Sequence, residues 1–153
     1  MTSSSVVVER RIAAPSARVW EALTDLRGTE RVLSGVQKIE VLTEGAFGVG
    51  TRWRETRRMF GKEATEELYV TACEPPERFV VEADGHGTHY VSQFALRADG
   101  PETTTVRMTF SAVPPGGMQG LLARVFGRLG KKVVVKAIER DLADVASAVE
   151  DRG

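Results

Sequence analysis

Ala14-Pro15-Ser16-Ala17-Arg18-Val19-Trp20-Glu21-Ala22-Leu23-Thr24-Asp25 is the stretch on which the fold turns. Pro15 suits a first helical position, where its missing N–H has no partner to lose, and Val19, Trp20, Leu23 and Leu26 recur at the spacing of one helix face. The spacing predicts a helix from Pro15 to Gly28, with Thr29 to Leu33 as a second short turn broken by Ser34-Gly35. Upstream, Val6 to Ile12 puts Val6, Val8 and Ile12 on one face by period two, a first strand. At the far end, Pro114-Pro115-Gly116-Gly117 resets the chain to helix. There Met118, Leu122, Val125, Leu129, Val133, Ala137, Leu142, Val145 and Val149 fall near one stripe, within an amphipathic segment running to about Glu150. Gly127 and Gly130 interrupt it, each weakening a helix interior by about 1 kcal/mol against alanine. A long helix laid across a curved sheet must enclose either a packed core or a cavity, which points toward a small-molecule container.

Between these ends the period is two. Val36–Leu42, Thr51–Met59, Glu63–Cys73, Arg78–Ala83, His89–Arg97 and Thr103–Val113 read as strands. The turns are Phe60-Gly61-Lys62, Glu74-Pro75-Pro76-Glu77, Asp84-Gly85-His86-Gly87 and Asp99-Gly100-Pro101. Strands this closely spaced leave no room for helical crossovers, so the sheet is antiparallel and the class is α+β.

The 153 residues suit one domain, residues 1–153, able to bury roughly two-thirds of its unfolded surface. Twenty-one basic against 21 acidic residues give no net charge, which argues against a nucleic-acid partner. A single cysteine, Cys73, fits a reducing compartment, and no apolar run reaches the 18 or so residues of a membrane span, so a cytoplasmic location is expected.

The order of strand, two small helices, six strands and long C-terminal helix resembles the START-like, or Bet v 1-like, superfamily of polyketide cyclase/dehydrase and lipid-transport proteins. The local phrases are Ala14-Pro15 through Trp20 with Thr24-Asp25, Val49-Gly50-Thr51-Arg52-Trp53, and Glu74-Pro75-Pro76-Glu77-Arg78-Phe79. The resemblance implies a helix-grip fold: seven antiparallel strands wrapped around the last helix, enclosing an apolar pocket. It implies a hydrophobic or aromatic ligand of polyketide, lipid or quinone type. It also leaves open a cyclase or aromatase, or an interaction module like the small Hsp90 cochaperones. It transfers no catalytic residues and no cofactor.

Registering each strand on its bulkiest alternating set turns Trp53, Glu55 and Arg57, then Glu66 and Leu68, then Tyr90, Ser92 and Phe94, then Met108 and Phe110 inward. With Leu122 and Phe126 of the last helix they form the candidate ligand-binding set. Glu55, Arg57 and Glu66 then face an apolar interior, where charges must be paired, near solvent or used. They serve either as polar anchors for a ligand hydroxyl or carbonyl, with a carboxylate as general base, or as an ion pair at the mouth of the sheet. Arg52, Arg54, Arg57 and Arg58 on one strand against Glu63, Glu66 and Glu67 on its neighbour also read as a solvated ladder of opposite charges.

His86 and His89 flank a glycine turn, with too few convergent ligands for zinc, and no metal is expected. Gly45, Gly48 and Gly50 precede a strand rather than a helix, so they make a hairpin connection and not a phosphate loop. Arg124, Arg128, Lys131, Lys132 and Lys136 share one helical face, with no acid between Pro115 and Ile138. That order opposes the helix dipole and suits a solvated face, peripheral contact with anionic membrane, or steering of an acidic ligand. The chain is expected to be a monomer or homodimer.

Overall fold

A computed structural model describes residues 4–59, 61–85, 88–113 and 128–150. The elements run β1 (Ser4–Ile12), α1 (Ser16–Thr24), α2 (Leu26–Val32), β2 (Val36–Val41), β3 (Arg52–Met59), β4 (Lys62–Glu74), β5 (Arg78–Gly85), β6 (Thr88–Gly100), β7 (Thr103–Val113) and α3 (Arg128–Glu150). The seven strands form one antiparallel sheet in the order β1-β7-β6-β5-β4-β3-β2. From β2 to β7 each strand pairs with the next, and β1 closes on β7. The two short helices carry the chain from one sheet edge to the other.

The helix expected from Pro15 to Gly28 is two helices. Asp25 ends α1 and caps α2, its Oδ1 accepting from the Gly28 N–H at 3.1 Å. A Cβ at Gly28 would collide with Asp25 Oδ2, so glycine serves this cap rather than a helix end. The β5 and β6 strands also outrun the expected turn, Gly85 pairing with Thr88. Helical periodicity is observed from Arg128; the expected start near Gly117, with Gly127, lies outside the described residues.

Helix α3 grips the β1–β7–β6 side of the sheet. Ile138, Leu142, Val145, Ala146 and Val149 pack with Val6, Val8, Ile12, Val19, Val106 and Ala112. Val133, placed on the apolar stripe from sequence, is 37% exposed, because the buried arc runs through Val134 and Ile138 instead. Polar ties fasten the helix ends of this layer: Thr104 Oγ1 donates to the Ala14 carbonyl at 2.8 Å, and Ala13 N–H to Glu150 Oε2 at 2.9 Å. A second cluster of Trp53, Val70, Phe79 and Val81 lies on the β3–β5 side, reached by Trp20, Leu23 and Phe47. Among the described residues no helix is long and apolar enough to cross a membrane.

Candidate functional site

Strand alternation and register bring the candidate residues side by side on the inner face of the sheet. Trp53 stands opposite Leu68, Glu55 opposite Glu66, Tyr90 opposite Ala83, and Phe94 opposite both Phe79 and Met108. Ser92 stands opposite Phe110. Two stacked pairs line this face: Phe79 with Phe94, centroids 4.6 Å apart, and Tyr90 with Phe110, 5.7 Å apart. Phe47, from the glycine-rich β2–β3 connection, meets Phe79 edge-on at 5.2 Å, as does Trp20 of α1 at 5.3 Å. Met108 is buried, whereas Leu68, Tyr90, Ser92, Phe94 and Phe110 are each only partly buried. Leu122 and Phe126 lie outside the described residues.

Beside the aromatic pairs runs a chain of polar contacts. Trp53 Nε1–H donates to Glu55 Oε1 at 3.1 Å, and Arg57 Nε–H donates to Glu55 Oε2 at 2.5 Å. Arg57 then forks onto α3, with Nη1 to Asp141 Oδ1 at 3.2 Å and Nη2 to Asp141 Oδ2 at 2.8 Å. A bidentate guanidinium–carboxylate pair is among the stronger polar contacts available to a protein. Burial pulls the Arg57 guanidinium toward its neutral form, but the charges of Glu55 and Asp141 outweigh it and hold the proton firmly. Burial pushes the Asp141 carboxyl up, with Arg57 opposing and Glu55 and Asp144 adding to the rise. One arginine thus serves two carboxylates.

Asp141 escaped the sequence expectation. Its signal was present: it sits four residues from both Ala137 and Val145, an acid on the side of the helix that turns inward. Glu66 lies over Gly85, whose Cβ would come within 2.9 Å of Glu66 Oε2. Burial pushes the Tyr90 hydroxyl up, and the Glu66 charge pushes it further.

The outer face differs. His89 Nε2 lies 2.6 Å from Glu82 Oε1 and Nδ1 lies 2.6 Å from Asp84 Oδ1, while Thr71 donates to Glu82 and Tyr69 to Asp84. Arg52 pairs with Glu67 at 2.8 Å and covers the Tyr69 ring at 4.6 Å. Arg54 reaches Glu40 rather than the acids of β4. His86 lies outside the described residues, and His89's nitrogens each face a different carboxylate, so they do not converge on one ion. Lys131, Lys132 and Lys136 stand exposed on α3; Arg124 is outside the described residues. A surface cleft of about 480 Å³ opens elsewhere, between α1, α2 and the end of α3, lined by Arg18, Glu21, Asp25 and Val149. Two of its polar groups are already engaged, Arg18 with the Val149 carbonyl and Asp25 with its cap.

Residues 3–150 match the model of the family described as polyketide cyclase / dehydrase and lipid transport. Among solved structures, the chain is similar to TTHA0849 from Thermus thermophilus, at 24% identity and TM-score 0.77, covering 94% of this chain and 95% of that one. It is similar to the Zhui aromatase/cyclase from Streptomyces sp. R1128, at 21% identity and TM-score 0.80, covering 96% and 93%. It is also similar to truncated norcoclaurine synthase from Thalictrum flavum, at 13% identity and TM-score 0.76, covering 99% and 96%. At these identities the likeness is one of fold. No curated protein matches the sequence.

Proposed function

The chain belongs to the polyketide cyclase / dehydrase and lipid transport family, and within it we propose that this protein binds a hydrophobic or aromatic small molecule between the sheet and α3. One observation carries the proposal. Leu68, Tyr90, Phe94 and Phe110 lie on the inner face of the sheet yet remain partly exposed, while Val70, Val81, Ala83 and Val106 on the same face are buried. Large apolar side chains left accessible on a concave face, with a few polar groups among them, are what a ligand site presents. The paired aromatic rings favour a planar guest. We place it in the cytoplasm as a monomer or homodimer, and the exposed Lys131, Lys132 and Lys136 support peripheral contact with anionic lipid.

Cyclase- or aromatase-type catalysis is a second reading, favoured by Asp141 and Tyr90, whose proton affinities are raised beside the aromatic face. Trp53 reports on either function. In a Trp20→Phe background, titration with apolar dyes and aromatic polyphenols is expected to shift Trp53 emission saturably. An emission spectrum indifferent to every compound that binds would count against this site.

A further inference from the structure

We infer that the cluster of Glu55, Arg57 and Asp141 makes the interior site selective by charge, admitting neutral aromatic hydrogen-bond donors and aromatic ammonium ions while excluding aromatic carboxylates of the same size. The inference rests on the ligand-binding reading above and adds the chemical class of guest.

Two carboxylates share one guanidinium, and all three side chains are mostly withdrawn from water, at 13% exposure for Glu55, 25% for Arg57 and 24% for Asp141. Charge interactions in such a setting are several times stronger than at an exposed surface. The fork of Arg57 is already filled: Nε faces Glu55, and Nη1 and Nη2 face Asp141. An entering carboxylate would gain bidentate contact only by displacing Asp141 or Glu55, and it would bring a third negative charge into the cluster. Donors meet the opposite situation. Each carboxylate offers about four acceptor sites, and Glu55 and Asp141 each use two on the contacts named here. A phenol, alcohol or ammonium group adds a hydrogen bond without displacing anything. At the rim, Arg140 comes to the same glycine, Gly35, as Arg57 and Asp141, but it is solvent-exposed, where its charge is screened, and Asp144 adds negative charge beside Asp141. The excess negative charge therefore stays inside.

Three naphthalenes of matched size test this: 2-naphthol, 2-naphthylmethylamine as its ammonium, and 2-naphthoate, titrated calorimetrically into the full chain at pH 7. The naphthoate should bind at least about tenfold more weakly than both others. Comparison with the ammonium matters, because desolvation alone would penalise both ions. Asp141→Asn should narrow the naphthoate gap about threefold or more, and Glu55→Gln decides the point if Asp141→Asn does not fold. Naphthoate binding as tightly as the ammonium would overturn the charge selectivity and leave the ligand-binding reading intact. A gap unchanged in both folded variants would overturn its assignment to this cluster. Failure of all three compounds to bind would overturn the ligand-binding reading and this inference with it.

Discussion

Arg57 is the residue on which two elements depend. Removing it leaves Glu55 and Asp141 facing each other without a counter-charge in a mostly buried setting, and breaking such a pair from one side costs far more than the pair is worth. Arg57→Met should lower stability by about 3 kcal/mol in urea titration, whereas Arg54→Met, whose partner Glu40 is half-exposed, should cost under about 1 kcal/mol. Equal losses would mean that Arg57 is effectively solvated. His89 supplies a second residue-level test. Hydrogen bonds donated to the Asp84 and Glu82 carboxylates raise its proton affinity, so its contribution is full below the ordinary value of 6.5 and is lost as pH rises through the raised folded value. The carboxyl of Glu82 is lowered, first by the Thr71 hydrogen bond, and that of Asp84 by His89, so theirs is lost as pH falls through the lowered folded values. The cluster should therefore stabilise most between about pH 4.5 and about pH 6.5. Melting curves of His89→Gln against the parent should differ most near pH 5.5 and draw together as pH rises through the raised imidazole value. A difference independent of pH would show that the imidazole acts only by packing.

The strands were the most legible elements, since period two with turn residues between them depends on local sequence alone. The β7 strand runs over the expected Thr103–Val113, and the inward alternation of Trp53, Glu55 and Arg57 follows the ladder pairing. The break in the first helix was not legible from periodicity, because Val19, Leu23 and Leu26 keep helical spacing across Asp25. What splits it is a side-chain cap, and Gly28 is the residue that leaves room for it. Gly28→Ala should force the Asp25 carboxylate aside and cost about 0.5–2 kcal/mol, the range for a lost cap. A neutral or stabilising alanine would mean that the cap contributes nothing. On α3, Leu142 is 1% exposed at the centre of the contact with β1 and α1, and Leu142→Ala should cost about 2–5 kcal/mol. Val133→Ala on the exposed arc should lie within about 0.5 kcal/mol of the parent.

Across the whole molecule, the sheet packs against α1, α2 and α3, and its inner face holds the aromatic pairs and the cluster of Glu55, Arg57 and Asp141. The inner strand residues could be listed from sequence, yet their partner on the helix could not. Asp141 meets Arg57 only because α3 folds back across a chain separation of 84 residues. The cleft between α1, α2 and the end of α3 likewise has no sequence signature, since its lining comes from both ends of the chain. It provides the competing location for any bound molecule. The alternatives separate in one spectrum, because the Trp53 indole donates its proton to Glu55 on the inner face, where Trp20 also meets Phe79, while Arg18, Glu21 and Val149 line the cleft. The most direct measurement is a nitrogen–proton correlation spectrum during titration with 2-naphthol, the indole peaks assigned by Trp20→Phe. The account predicts a saturable, one-to-one shift of the Trp53 indole peak, together with backbone shifts at Ser92 and Phe110. A stationary Trp53 peak at saturation, with shifts confined to Arg18, Glu21 and Val149, would contradict it.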